Sequence, residues 1–174
     1  MPNIEIKARY PDLARGRETA LSLGAVFQRR DRQVDTYFKA PSGRLKLRES
    51  SANRAELIPY FRPDRKGPKL CRYEVIPILR PRAVKALFKA LYGIEAVVDK
   101  TRDIYLKGNI RVHLDRVRGL GDFLEFEAVF RTDSPKRRAL EKAKVQRLLR
   151  LFGVKPGDLL ENSYLDMVRS ARRR

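Results

Sequence analysis

The stretch Arg44-Leu45-Lys46-Leu47-Arg48 alternates basic and apolar residues with a period of two. Successive side chains of a β-strand point to opposite faces, so this period places the cations on one face and the leucines on the other. Three further stretches share the alternation and carry charges of both signs: Glu5-Ile6-Lys7, Lys100-Thr101-Arg102 and Glu125-Phe126-Glu127. The sequence therefore predicts a sheet with one apolar face and one charged face.

The charged face combines many cations with a few carboxylates. Arginine and lysine bind phosphate oxygens, and carboxylates are ligands that Mg²⁺ and Mn²⁺ prefer in proteins. A metal-assisted polyphosphate site needs both kinds of group close together. The combination points to chemistry on a triphosphate.

The composition is that of a basic globular protein. The chain has 174 residues, 43% of them hydrophobic, which suffices for one domain with a core. Its 40 Lys and Arg against 21 Asp and Glu give a formal charge of +19, which favours a polyanionic partner: nucleotide, polyphosphate, RNA or an acidic membrane. The single cysteine, Cys71, excludes an intramolecular disulfide. Because we find neither a secretory leader nor an apolar run of membrane-spanning length, we expect a cytoplasmic protein without a membrane partner.

Turn residues and periodicity predict eight strands and three main helices. The strands are expected at about 3–9, 26–39, 43–50, 54–63, 70–79, 95–107, 109–118 and 122–131. The helices are expected from Pro11 to Gly24, from Pro81 to about Tyr92 and from Ser134 to about Phe152, with a short closing helix at Ser163–Arg169.

An internal repeat organises these elements. The segment Asp35-Thr36-Tyr37-Phe38-Lys39, followed by a turn and Arg44–Arg48, recurs as Asp103-Ile104-Tyr105-Leu106-Lys107, followed by a turn and Arg111-Val112-His113-Leu114-Asp115. Such duplication is typical of a symmetric fold built from two β-α-β-β-β halves. We therefore expect a single domain over residues 1–174, with halves at about 3–63 and 70–131 and C-terminal helices at about 134–169.

The direction of the charged face separates two architectures. In a closed eight-stranded antiparallel barrel the charges line the lumen, and the helices cover the apolar face from outside. In an open sheet the helices lie on one side, and the charges form a solvated surface. Pattern alone favours the open sheet, because half-solvated sheets are common.

The charged stretches together resemble the CYTH superfamily, also called triphosphate tunnel metalloenzymes, over Asn3 to about Val168. Members carry an N-terminal Glu-x-Glu-x-Lys strand, of which Glu5 and Lys7 match the second Glu and the Lys, whereas Asn3 replaces the first Glu. The other matches are Leu45-Lys46-Leu47-Arg48-Glu49, the pair Lys100 and Arg102, Asp115, and the strand with Glu125 and Glu127. Three more segments are similar to the class IV adenylyl cyclase branch: Asp35-Thr36-Tyr37-Phe38, Gly119-Leu120-Gly121-Asp122-Phe123 and Ser163-Tyr164.

The resemblance implies an α+β fold with a closed eight-stranded antiparallel barrel, and it reverses the preference for an open sheet. It implies a Mg²⁺- or Mn²⁺-dependent enzyme that acts on a triphosphate, with conversion of ATP to cyclic AMP and pyrophosphate as the first expectation. Hydrolysis of an inorganic or organic triphosphate is the alternative. The expected partner is a nucleotide or other triphosphate, and self-association as a homodimer stays open.

A non-catalytic polyanion- or RNA-binding protein is a third interpretation. Its support is the net charge and a basic helix that carries Lys136, Arg137, Arg138, Lys142, Lys144, Arg147 and Arg150. The carboxylates of the charged face argue against it, since they repel phosphate unless a cation bridges the two. Nucleic acid is therefore the less favoured partner.

The acidic candidates follow from the resemblance. Glu5, Glu125 and Glu127 are the expected metal ligands, and Glu5, Lys7 and Asp115 the expected catalytic residues, with Asp115 holding a second ion or orienting water. Spacing alone favours salt bridges to neighbouring cations instead. Asp115 would then be a surface partner of nearby arginines.

The basic candidates form a clamp for the phosphates. They are Lys46, Arg48, Arg62, Arg72, Lys100 and Arg102, together with Lys7. Arginine offers a rigid fork that matches phosphate geometry, and lysine offers a mobile point charge. His113, the single histidine, is expected to be a wall residue without a chemical role.

Overall fold

The computed structural model describes residues 2–64 and 66–172. In chain order the elements are β1 (Pro2–Arg9), α1 (Leu13–Ser22), β2 (Val26–Phe38), β3 (Arg44–Ser50), β4 (Ala55–Phe61), β5 (Lys69–Tyr73), β6 (Ile76–Pro77), α2 (Pro81–Tyr92), β7 (Ile94–Lys107), β8 (Ile110–Val117), β9 (Gly121–Val129), α3 (Pro135–Leu151), β10 (Leu159–Leu160) and α4 (Tyr164–Arg172).

Eight of these strands form a closed antiparallel barrel. Their order is β1-β5-β4-β3-β2-β7-β8-β9, and β9 pairs with β1 over Asn3–Arg9 to close the ring. The closed barrel is confirmed, and the open sheet that the pattern alone favoured is wrong. An open sheet would leave unpaired strand edges, whereas closure removes them.

Two predicted details differ from the structure. The strand expected at 70–79 ends at Tyr73, and a separate two-residue strand, β6, pairs with β4. Pro77 has no N–H to donate, which suits a short peripheral strand. The strand β10 was not predicted; it adds to β1 beside Lys7 and Ala8.

The two halves share an element order but not a pattern of faces. The sequence repeat aligns Asp35 with Asp103, yet Asp35 points into the barrel and Asp103 lies outside, where Arg17 and Arg30 bind it. Asp103 follows Arg102, whose side chain points inward, so strict alternation turns Asp103 outward. The repeated sequence therefore places different charges in the lumen in each half.

The principal core lies outside the barrel, beneath α1 and α3. Outward-facing residues such as Ile4, Ile6 and Phe126 pack there against Val145 and Phe152. None of the described helices combines the length and the apolar composition that a bilayer crossing requires. The apolar strand faces are thus covered by helices, and the charged faces are left inside.

A second apolar cluster fills one end of the barrel. Tyr37, Tyr60, Val98 and Phe123 contribute inward-facing side chains, and α4 caps them with Tyr164. The rings of Phe123 and Tyr164 meet edge to face with centroids 5.1 Å apart. We call this cluster the plug.

A close helix–strand contact gives a test of the packing. A Cβ on Gly16 of α1 would lie 2.9 Å from both Leu114 Cδ2 and Tyr10 Cε1. We expect Gly16→Leu to lower the free energy of unfolding by about 1–3 kcal/mol, as overpacking does. Ala14→Leu, on the exposed side of the same helix, is the matched control and should have little effect. Equal stability of the two variants in urea denaturation would contradict this packing.

Candidate functional site

The barrel encloses a cavity of about 490 Å³ next to the plug. This volume lies within the range of small-molecule sites, about 300–1,000 Å³. Most of the predicted site residues line it: Glu5, Lys7, Lys46, Arg48, Arg62, Lys100, Arg102, Glu125 and Glu127. Alternation along β1, β3, β7 and β9 brings them together.

One buried aspartate anchors the cations of β3. Arg48 donates to Asp35 through Nε and Nη2 at 2.7 and 2.8 Å, and Lys46 Nζ donates to the same carboxylate at 2.9 Å. Burial opposes ionisation of Asp35, but the charges of Arg48 and Lys46 hold its pKa well below its usual range. Asp35 therefore fixes the orientation of both cations in the ionised state.

A second aspartate anchors the cations of β7 in the same way. Arg102 donates to Asp115 through Nε and Nη2, both at 2.6 Å, and Lys100 Nζ donates at 3.3 Å. The hydroxyl of Tyr164 donates to Asp115 at 2.8 Å. Asp115 has no exposed surface, so the expectation of a surface partner is wrong. It points into the barrel on the same face of β8 as His113, but it does not line the cavity. Its carboxylate is bound by Lys100, Arg102 and Tyr164, so in this structure it orients these side chains.

Three potential metal ligands meet on β8 and β9. One ligand atom from each of His113, Glu125 and Glu127 lies within 4.8 Å of the others. His113 Nδ1 is 3.2 Å from Glu125 Oε1 and 3.6 Å from Glu127 Oε1. Two carboxylates and an imidazole are a donor set that a divalent cation can use, so the residues fit a metal. His113 was predicted as a wall residue, and the structure adds it to this group.

The charge states of this group suit a cation. Burial and the charge of Arg102 lower the pKa of His113 well below its usual range, which leaves a neutral imidazole with a free lone pair. Burial opposes ionisation of Glu127, but the positive charges of Arg102, Arg111 and Arg48 lower its pKa below its usual range. The group thus offers an anion and a neutral nitrogen at neutral pH.

Lys7 and Glu5 border the same group from β1. Lys7 Nζ forms an ion pair with Glu125 and lies 3.9 Å from the centroid of the Tyr164 ring. Burial lowers the pKa of Lys7 to about 7, the nearby Asp115 opposing the shift. Glu5 lies directly across from Glu127, and its carboxylate accepts a hydrogen bond from Arg62.

Two of the predicted phosphate-clamp residues, Arg62 and Arg72, lie on opposite sides of the barrel wall. The side chain of Arg62 is almost fully buried and lines the cavity, and its Nη2 has no hydrogen-bond partner. The side chain of Arg72 is 63% exposed and binds Asp133 at 3.0 Å on the outer surface. Its predicted place in the lumen is wrong, because alternation on β5 points Cys71 inward and Arg72 outward.

Sequence reasoning missed several residues of this site. Asp35 was used only as a mark of a family branch, although its position opposite Arg48 in the β2–β3 register makes it the counterion. Asn3 is 2% exposed and its Oδ1 has no partner. Gln33 has a similarly unpartnered Oε1. Strand parity and register could have identified Asp35, but an unpartnered atom needs the three-dimensional structure.

Comparisons with known proteins show which family and fold this chain resembles. The CYTH domain matches residues 1–164. A Methanocaldococcus jannaschii protein named as a candidate adenylate cyclase is 28% identical over 182 residues, which cover 96% of this chain and 98% of that protein. A structure from Pyrococcus horikoshii OT3 has a TM-score of 0.83 and 27% identity, covering 94% of this chain and 98% of that one.

A more distant solved structure shares the fold. It is a Hippeastrum protein described as a candidate adenylyl cyclase with a dominant triphosphatase activity. Its TM-score is 0.66 at 17% identity, and the match covers 97% of this chain and 96% of that one. At this identity the likeness shows the fold alone.

The buried aspartate pairs predict acid sensitivity. Because the pKa of Asp35 is lowered in the folded state, its stabilisation is present above the unfolded pKa of about 3.9 and is lost as the pH falls below it. We expect Asp35→Asn to cost about 3 kcal/mol at pH 7, near the lower end for breaking a buried ion pair, since Arg48 keeps some contact with the cavity. The difference from the wild type should shrink towards pH 3.

Urea denaturation of both proteins between pH 3 and 7 measures this effect. Asp122→Asn is the matched control, because Asp122 binds the exposed Arg116 through two hydrogen bonds on the outer surface. It should change stability little at any pH. A stability difference for Asp35→Asn that stays constant with pH would contradict the assignment.

Proposed function

This chain belongs to the CYTH domain family, and from that membership we propose that it is a metal-dependent enzyme that acts on a triphosphate, with conversion of ATP to cyclic AMP and pyrophosphate as the first candidate reaction. The observation that carries the proposal is the meeting of two charge systems in one cavity. Cations held by Asp35 and Asp115 share the lumen with the group of His113, Glu125 and Glu127.

The cations suit a polyphosphate because they are fixed in orientation before it binds. The guanidinium groups of Arg48 and Arg102 each use Nε and Nη2 on an aspartate, which leaves Nη1 for a phosphate oxygen. Arg62 Nη2 has no partner and adds a further donor. Fixed donors lose little conformational entropy on binding, so their contribution to affinity is large.

In the cyclase reaction the ribose 3′-hydroxyl attacks the α-phosphorus, the bond from that phosphorus to the bridging oxygen breaks, and pyrophosphate leaves with the electron pair. Bound at His113, Glu125 and Glu127, a divalent cation would promote loss of the hydroxyl proton and neutralise charge on the phosphate. Arg48, Arg102 and Arg62 would hold the leaving pyrophosphate. Lys7 would keep the Glu125 carboxylate in place.

Triphosphate hydrolysis is the second candidate. Water then attacks the γ-phosphorus, the bond from that phosphorus to the β–γ bridging oxygen breaks, and inorganic phosphate and the diphosphate are the products. The same residues would hold the phosphate chain. The Hippeastrum protein, which shares the barrel, is described as having dominant triphosphatase activity. The two reactions differ in which phosphorus lies beside the carboxylates.

The binding-protein interpretation has less support. A binder of polyanions would gain nothing from Glu125 and Glu127, which repel phosphate without an intervening cation. Part of the basic charge of α3 is also already neutralised, since Arg137 and Lys144 bind Glu141 and Arg138 binds Asp133.

Binding of tripolyphosphate tests the clamp. We expect Arg48→Ala to weaken binding by about tenfold or more, the effect of losing one charge-assisted hydrogen bond or two. Arg72→Ala is the control, because Arg72 lies on the outer surface, and it should bind like the wild type. Isothermal titration at low salt measures both. Equal losses in the two variants would refute a specific clamp in the lumen.

Product analysis with a carboxylate variant tests the reaction. With Mg²⁺ or Mn²⁺ present, mass spectrometry of reactions with ATP and tripolyphosphate should show cyclic AMP and pyrophosphate, or the products of hydrolysis. We expect Glu127→Gln to reduce turnover by at least about a hundredfold while the melting temperature and tripolyphosphate affinity stay close to those of the wild type, since an amide lacks the charge that a hard cation requires.

The control for this variant is Glu56→Gln, which alters a carboxylate that lines the cavity outside the ligand group. It should retain most of the activity. Normal turnover by Glu127→Gln would exclude Glu127 as a metal ligand, and absence of any product from the wild type would overturn the enzymatic proposal.

A further inference from the structure

The helix α2 covers one side of the barrel with little of its own surface. None of the residues Pro81–Tyr92 is buried. Phe88 attaches the helix, since its ring lies 5.3 Å from that of Phe38 on β2 and 5.5 Å from that of Tyr92, measured between centroids. The contacts of α2 with the barrel lie chiefly on β2 and β3, whereas α3 lies on β1 and β9, on the opposite side of the ring. Most of the surface of α2 therefore faces outward.

The outward side of α2 carries a ridge of apolar side chains. Leu87 and Leu91 are one helical turn apart and are 55% and 63% exposed. Ala83 continues the ridge by one turn towards the N-terminus, and Ala86 and Ala90 lie beside it, all three exposed. Apolar residues at this spacing normally mark the face that a helix buries. The helix thus has a second apolar side, beyond the one that packs on β2.

The segment before α2 enlarges this surface. A hydrophobic residue directly before the N-cap often packs against the fourth residue of the helix, which here is Val84. Leu79 has that position, but it is 98% exposed and so lacks this contact. The N-cap residue, Arg80, is exposed as well. Leu79 and Arg80 therefore add an apolar side chain and a cation at the N-terminal end of α2.

Basic residues border the ridge on one flank. Arg82, Lys85 and Lys89 follow one another at intervals of three and four residues, which places them in a line along the helix. Lys85 pairs with Glu49, whereas Arg82 and Lys89 are exposed and form no ion pair with any residue that the structure describes. The helix contains no acidic residue. An apolar ridge bordered by cations alone fits a partner that is both apolar and anionic.

A second copy of this chain fits the ridge poorly. In a two-fold symmetric contact the same patch meets itself, so Arg82 and Lys89 of one copy would approach those of the other. Each copy also carries a formal charge of +19. The two copies would therefore repel each other at the point of contact.

An anionic bilayer fits it better. Its head groups would neutralise the cations, and its acyl region would accept the leucines. Its surface is flat and extended, so it can receive a ridge, whereas a protein partner needs a matching groove. The charge of the whole chain attracts it to such an extended anionic surface more strongly than to a small acidic patch.

We propose that α2, together with Leu79 and Arg80, is a contact site for an anionic lipid bilayer. The helix lies along the membrane surface with Leu87 and Leu91 below the head groups, and Arg82 and Lys89 bind the anionic groups of the lipids. The sequence predicts no membrane partner because no apolar run is long enough to span a bilayer. A helix that lies in the interface does not need that length.

An introduced tryptophan tests the position of the helix, because the chain contains none. We expect vesicles of phosphatidylcholine and phosphatidylserine to shift the emission of Leu91→Trp to the blue, and lipids brominated in their acyl chains to quench it. Leu151→Trp is the matched control, because Leu151 is similarly exposed on α3, across the barrel. Its emission should not change. Vesicles of phosphatidylcholine alone should give little response with either variant.

Sedimentation with the same vesicles separates α2 from the general charge of the chain. Replacing Arg82 and Lys89 together by Gln should weaken binding by roughly thirtyfold at low salt, the product of two charges near an anionic surface. The same change at the exposed Arg147 and Arg150 of α3 should weaken it by less than about threefold.

A leucine variant tests the apolar part of the contact. Replacing Leu87 and Leu91 together by Ser should weaken vesicle binding by about tenfold or more, because two side chains that enter the acyl region are lost. The melting temperature should stay close to that of the wild type, since both leucines are exposed in the folded protein.

Three results would overturn the proposal. The first is failure of the wild-type protein to bind anionic vesicles at low salt. The second is an equal response of the α2 and α3 variants, which would indicate attraction by net charge alone. The third is a blue shift of Leu91→Trp that grows with protein concentration without lipid, which would assign the ridge to a contact between copies. None of them bears on the chemistry proposed for the lumen.

Discussion

Neutralisation of cations inside the barrel is the constraint on which the structure depends. Arg48 and Arg102 are drawn out of bulk water by their positions on inward-facing strands, and each is held by an aspartate, Asp35 or Asp115, that is almost completely buried. An unpaired charge in such a place costs several kcal/mol, so a barrel with this interior requires its counterions. The outer helices are needed for the same reason. Because the inner strand faces are charged, the apolar core must form on the outer faces, and the helices cover it there.

The counterions also prepare the site. Each aspartate binds an arginine through two hydrogen bonds and a lysine two residues earlier on the same strand. A Lys-x-Arg pair, whose two side chains share one face, therefore forms a structural unit with the aspartate on the adjacent strand. The same unit that stabilises the barrel leaves guanidinium hydrogens facing the lumen in a fixed geometry. The contacts that stabilise the barrel thus also fix the donors that the proposed phosphate clamp would use.

Much of this arrangement could be predicted from the sequence, because a period of two determines which side chains share a face. Glu5, Lys46 and Arg102 were assigned to one face on that basis. Closure of the barrel was not accessible from periodicity, since an open sheet has the same alternation, and it came from the family resemblance. Arg72 was misplaced because the sequence does not give the register of β5 against β1, which pairs Cys71 with the inward-facing Asn3 and so turns Arg72 outward. Gln33 was missed because an unsatisfied atom is a property of packing.

The plug gives the cavity a direction. Among the residues that the structure describes, Tyr164 and its neighbours occupy one end of the barrel. A ligand would therefore enter and leave the cavity at the opposite end. If a substrate enters with its phosphates first, a single opening fixes the order in which its two products leave. The product nearer the opening must leave before the product held by the arginines. In the proposed cyclase reaction, pyrophosphate would then be the last product to leave, and while bound it would occupy the place of the next substrate.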